Sequence, residues 1–183
     1  MGVVTVKASP EFERLYPRAS RSATECAMNL VRTGDMIVSR VAEILRAFDL
    51  TPAGGLVLSV LADADRPLPP HEIGDRLIVT RATVTGLVDS LTRRGYVRRI
   101  AHPEDRRSLL VTLTPKGRRV AGEFRPVVHQ YQRAWFEVLS EADRVSLLRL
   151  LGRVQESLAA PSLSGSSAGA RRSPRGHSRP AGG

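Results

Sequence analysis

The chain of 183 residues has one cysteine, Cys26, so neither an internal disulfide nor a cysteine-rich zinc site can form. Its four histidines, His71, His102, His129 and His177, fall on separate segments without ligand spacing, and no metal or cofactor is implied. Acidic residues are short as well: 18 Asp and Glu stand against 28 Lys and Arg, for a formal charge of +10. That excess favours a polyanionic partner, phosphate and anionic lipid alike. The longest apolar stretches, such as Gly54 to Ala62, stop well short of the roughly 18 residues a spanning helix needs, so no membrane partner is expected. Lys7, Glu11, Glu13, Arg14 and Arg18 interrupt the N-terminus and leave no continuous apolar centre for a secretion signal. The expected location is the cytoplasm. A nucleophile with its base, an acid–base pair and a phosphate loop are all missing at their required spacings, which argues against an enzyme.

With 42% hydrophobic residues the chain is long enough for one ordinary core plus tails. Apolar residues from Met28 to Phe48 recur at threes and fours, which predicts a long amphipathic helix over 20–48. Thr51 as cap and Pro52 in the first helical position then start a short, very apolar helix, expected to be buried. Pro70 opens a brief helix containing Glu72 and Ile73. Thr80 caps the next, with Val79 and Val84 spaced as a hydrophobic staple and Val84, Leu87, Val88 and Leu91 as its inward stripe. Gly95 ends it, and Tyr96 to Ile100 and Leu109 to Leu113 read as a hairpin around a polar turn. Thr114 and Pro115 begin a long helix with the stripe Val120, Phe124, Val127, Tyr131, Trp135 and Val138, which Pro126 is expected to kink. Ser140 and Asp143 form a capping box before a last helix bearing Val145, Leu148, Leu151, Val154 and Leu158. Residues 161–183 turn to Ser, Gly, Pro and Arg and are expected to be disordered, with Arg171, Arg172, Arg175 and Arg179 either solubilising the tail or adding nonspecific charge for a polyanion.

Helix, tight turn, helix and then a hairpin is the order of a winged helix-turn-helix, whose second helix enters the DNA major groove. Here that helix runs from Thr80 to Arg94. The face opposite Val84 and Val88 carries Ala82, Thr83, Gly86 and Arg93, flanked by Thr85 and Ser90. Small residues allow close approach to base edges, and threonine offers a hydroxyl and a methyl. A glycine inside a helix costs about 1 kcal/mol, so Gly86 reads either as a point of close approach or as tolerated drift. Arg81 in the first turn can meet a phosphate or a base edge. Arg81, Thr83, Thr85 and Gly86 are therefore the candidate contacts, a solvated structural face being the alternative.

Four runs carry a family resemblance: VTGLVDSL over Val84–Leu91, RGYV over Arg94–Val97, PEDRR over Pro103–Arg107 and VTLTPKG over Val111–Gly117. Together they resemble the multiple-antibiotic-resistance-regulator (MarR) family of winged helix-turn-helix transcription regulators. The ordered resemblance spans 20–160, with most weight on 68–117. It implies a mainly α fold with a small two-stranded β-wing, a wing and DNA-reading lobe over 52–113, and dimerisation helices at 20–48 and 114–160. Residues 1–19 form an N-terminal extension and 161–183 a basic tail.

The resemblance also implies roles. Arg107 would enter the minor groove, where narrow walls concentrate negative potential, held by Arg106 and Asp105. Arg98, Arg99, Lys116, Arg118 and Arg119 would lie near the DNA backbone. A homodimer would read a pseudo-palindromic operator in successive major grooves. A small aromatic or phenolic effector would bind between the dimerisation and DNA-binding regions, with Phe48, Trp135 and Phe136 as candidate lining. Some peroxide-sensing relatives place a reactive cysteine near Cys26, but Val41 and Pro52 stand where those relatives supply tyrosines. An inert buried thiol is therefore expected rather than a redox switch. A winged-helix module binding RNA or protein is the remaining alternative.

Overall fold

Hydroxyl caps set the helix starts. In the computed structural model, which describes residues 5–64, 66–77, 79–104 and 108–160, the elements in chain order are α1 (Phe12–Leu15), α2 (Arg21–Arg46), α3 (Pro52–Asp63), α4 (Pro70–Leu77), α5 (Arg81–Arg93), β1 (Val97–Ala101), β2 (Leu109–Leu113), α6 (Pro115–Phe136) and α7 (Glu141–Ala159). Side-chain oxygens of Ser20, Thr51, Thr80 and Ser140 each accept a backbone N–H three residues on, satisfying donors that a helix leaves unpaired at its start. At α7 the box is reciprocal, since Asp143 also accepts from the Ser140 N–H. Thr114 plays the same part before Pro115, accepting from the Gly117 N–H at 3.0 Å.

Two helix ends share one device. Leu50 N–H donates to the Leu45 carbonyl and Asp49 N–H to that of Arg46, with Asp49 at φ 53°. Tyr96 and Gly95 repeat the pattern on Leu91 and Thr92, with Gly95 at φ 71°. Both are Schellman stops. The glycine was legible in the sequence, whereas Asp49 takes the left-handed conformation that short polar side chains tolerate. Arg94 holds that turn by donating to the Asp49 carbonyl, with its carboxylate 3.5 Å away.

Two compact units divide the chain, Met1–Trp135 and Phe136–Gly183. In the first, Val57, Leu58 and Leu61 of α3, Ile73 of α4, and Val84, Val88 and Leu91 of α5 are buried with Leu45, Val97, Val111 and Phe124 in one core. At 2–5 kcal/mol for a buried leucine cut to alanine, Leu58 alone matters to a marginally stable fold. β1 and β2 pair antiparallel, with Val97 opposite Leu113 and Ala101 opposite Leu109. Leu68 adds a one-residue bridge on the other edge of β2, exchanging both backbone hydrogen bonds with Val111 at 3.0 and 2.8 Å. Gly117 brings α6 against the hairpin, because a Cβ there would collide with the Tyr96 carbonyl.

Several expectations change. α6 runs as a single helix through Pro126, which stands exposed. Its buried residues are Gly117, Ala121, Phe124 and Val128, so the core face is rotated from the expected stripe and Tyr131 is exposed. α3 is buried on one side only, with Leu56 exposed. Val79 is exposed as well, and the tight neighbour of Val84 is Gly74. Cys26 is exposed rather than buried, because the N-terminal half of α2 has little packed on it: Met28, Leu30 and Val31 are exposed beside it. The N-terminal segment is docked in part. Val6 and Asn29 exchange two hydrogen bonds of 2.8 Å, and Ala8 N–H donates to Glu25. That amide, reinforced by the Arg21 guanidinium, holds the Glu25 carboxyl below the usual glutamate range. In the second unit α7 buries none of its residues, and Val145, Leu148 and Leu158 are exposed.

Candidate nucleic-acid interface

α5 divides cleanly into two sides. Val84, Val88 and Leu91 are buried, while Arg81, Ala82, Thr83, Thr85 and Gly86 are exposed. A Cβ at Gly86 would meet no atom within 4 Å, so the glycine is required by no internal contact. The Thr80 cap shapes the leading end: its hydroxyl accepts from the Thr83 N–H at 3.2 Å and lies 2.9 Å from the Thr83 hydroxyl. Thr85 donates to the Arg81 carbonyl at 3.0 Å, which fixes its rotamer and keeps its oxygen able to accept. Arg81 makes no ion pair among the described residues.

The wing root is tied to this helix. Arg99 of β1 donates to Asp89 of α5 at 2.6 Å, so hairpin and helix hold a fixed spacing. Lys116 is drawn inward instead, donating to the Arg94 carbonyl at 2.8 Å with its ammonium 4.6 Å from the Tyr96 ring centre. Arg118 likewise turns to the Leu113 carbonyl. Near α4, Glu72 receives both Arg66 and Arg76, and the Arg66 hydrogen bond leads in holding its carboxyl below the usual range. Asp105, Arg106 and Arg107, the expected wing tip, lie outside the described residues.

A cleft of about 390 Å³ opens between the start of α4, the first turns of α5 and the root of the wing. His71, Arg81, Thr85, Arg99, His102 and Ser108 line it. Sequence reasoning placed Arg81 and Thr85 here but left the histidines scattered. Nothing local links positions 71 and 102; the fold brings them together.

Two of the candidate effector residues, Phe48 and Trp135, make separate ring contacts in the first unit. Phe48 packs edge-on against Phe124 with centroids 6.1 Å apart, while Trp135 pairs with Tyr131 at 6.2 Å. Eleven residues of α6 separate Phe124 from Trp135, about 16 Å along the axis. Phe136 ends the helix, its carbonyl accepting from Leu139 and Arg144. A small cavity of about 180 Å³ lies instead under α2, α3 and α6, lined chiefly by Val41, Leu45, Leu56, Phe124 and Val128, with Ser59 and Gln132 as polar groups. Aliphatic residues in a helical stripe gave no sign of it.

Comparison with known proteins agrees with this architecture. The sequence model of the MarR family matches residues 48–108. The chain is 37% identical over 103 residues, 56% of its own length and 62% of the other's, to the HTH-type transcriptional repressor YetL of Bacillus subtilis. It is 33% identical over 88 residues, 48% of this chain and 53% of the other, to the transcriptional regulator PrsX of Escherichia coli. The chain therefore spans less than two thirds of these curated relatives. Among solved structures, BpsR of Bordetella bronchiseptica, described with regulation of its DNA binding by 6-hydroxynicotinic acid, superposes with TM-score 0.63 at 28% identity, over 69% of this chain and 90% of that one. CouR of Rhodococcus jostii, bound to p-coumaroyl-CoA, gives TM-score 0.61 at 25% identity, over 73% and 90%. A Staphylococcus aureus MepR–DNA complex shares the fold, with TM-score 0.67 at 22% identity, over 70% and 94%. The chain is thus similar to the MarR family in sequence over its helix-turn-helix and in shape over most of its described length.

Proposed function

We propose that this protein is a sequence-specific, duplex-DNA-binding transcription regulator that acts as a homodimer on a pseudo-palindromic operator and answers to a small aromatic effector. The observation that carries the reading is the open Thr83–Gly86 side of α5, set beside a hairpin while the helix's other side is buried. A helix about 10–12 Å across fits a major groove about 12 Å wide. Arg81, Thr83 and Thr85 then reach phosphates or base edges, and Gly86 lets the axis approach. Arg107 enters the adjacent minor groove, with Arg106 and Asp105 holding it, as the family resemblance implies. Residues 52–113 form the reading lobe, and 20–48 and 114–160 supply the helices that pair two copies.

Selection of bound fragments from a random duplex pool tests the reading. A specific regulator enriches a near-palindrome and still discriminates it as salt rises, whereas a basic module for RNA or protein enriches none. Arg107→Ala is expected to cost about 1–3 kcal/mol of operator affinity while leaving melting temperature and dimerisation unchanged. Unaltered affinity would remove the wing from the mechanism.

The cavity under α2, α3 and α6 supports the effector. Its volume of about 180 Å³ suits a single ring, since an engineered cavity of about 150 Å³ takes up benzene. The ligands named with BpsR and CouR are both aromatic. Release of the selected duplex by a hydroxylated aromatic acid tests this part, and indifference to a panel of such acids would discard it.

A further inference from the structure

If α5 occupies the major groove and the wing the minor groove, one sugar–phosphate strand has to cross the gap between them. In this molecule that gap is the cleft walled by His71, Arg81, Arg99 and His102, with the hydroxyls of Thr85 and Ser108. No carboxylate lines it among the described residues. Of the acids on the surrounding elements, Glu72 is engaged by Arg66 and Arg76, and Asp89 by Arg99. Asp75 on α4 and Glu104 in the wing complete the described acids there, and Arg93 of α5 and Arg98 of β1 add further positive charge. Arg99 is held in place by its carboxylate, so Arg81 brings the permanent charge and the two imidazoles bring a charge that depends on protons.

We propose that this cleft seats a backbone phosphate of the bound duplex, and that His71 and His102 grip it as cations, so that operator binding takes up protons. The proposal rests on the regulator reading above. His102 accepts the Glu104 N–H on Nδ1 at 3.2 Å, so its neutral ring carries the proton on Nε2. A second proton displaces that hydrogen bond, and the phosphate charge offsets the loss. His71, second residue of α4, is exposed beside the first-turn amides, which favour the phosphate but oppose a charge on the free ring, so its proton is taken up only with the phosphate seated.

The test measures affinity for a labelled duplex from the random-pool selection against salt, at about pH 6 and about pH 8, on either side of the ordinary imidazole range. Each cationic phosphate contact adds about one unit to the slope of log affinity against log salt. The wild-type slope is expected to be steeper at the lower pH by one to two units. His71→Gln and His102→Asn should each remove about one unit of that difference and converge on wild type at the higher pH. Asparagine keeps an acceptor for the Glu104 amide; if His102→Asn nevertheless melts below wild type, His71→Gln alone decides. Variants that keep the full pH-dependent slope overturn the phosphate seat while the regulator reading stands. Failure of the wild type to hold any selected duplex at either pH overturns both.

Discussion

Gly86 separates packing from function more sharply than any other residue of α5. An added methyl touches nothing within 4 Å, so Gly86→Ala should raise stability by about 1 kcal/mol through helix propensity alone. In the proposed pose the same methyl stands between helix and bases, so operator affinity should fall. Denaturant unfolding and a binding titration read the two effects, and a stability gain without an affinity loss would take this face out of the groove. Gly86 was legible because a helical glycine is conspicuous in sequence. The cleft histidines were not, since His71 and His102 acquire a shared role only when α4 meets the wing. The ring partners of the candidate effector residues were hidden for a related reason: Phe48 meets Phe124 only when the turn after α2 packs on α6, whereas Trp135 meets Tyr131 within one helix.

At the level of elements, local chemistry carried most of the information. Thr51–Pro52, Thr114–Pro115 and Ser140 with Asp143 each announce a helix start by a side chain that replaces a missing hydrogen bond, and each does so in the structure. Features set by distant contacts stayed hidden, among them the rotated core face of α6, the docked Val6–Ala8 segment and the Leu68 bridge. Thr80 sets the start of α5 and therefore the position of Thr83. Thr80→Ala is expected to lower stability by about 1 kcal/mol and to weaken operator binding, with Thr80→Ser restoring both. Parallel thermal melts and binding titrations check this; full affinity in the alanine variant would show that the first turn needs no cap to meet DNA.

For the whole molecule, the question is what covers its apolar surface. Val31 is 66% exposed, Leu148 70% and Leu158 78%, and α7 buries nothing. Helices in water owe most of their stability to an apolar face packed on a partner, and a second copy is the partner proposed here. Unfolding should then depend on protein concentration, and Leu148→Glu with Leu158→Glu should shift sedimentation toward the monomer and abolish operator binding. A variant that still sediments as a dimer would move the interface elsewhere. The Leu68 bridge bears on what happens when many copies meet. A hairpin offers two unpaired edges to passing chains. The outer edge of β2 is occupied at Val111 by Leu68, and the residue two further on that would next face β2 is Pro70, which has no N–H to lengthen the seam. Strand addition by neighbouring molecules is thus hindered on that side of the hairpin, leaving the outer edge of β1 as the one a passing chain meets.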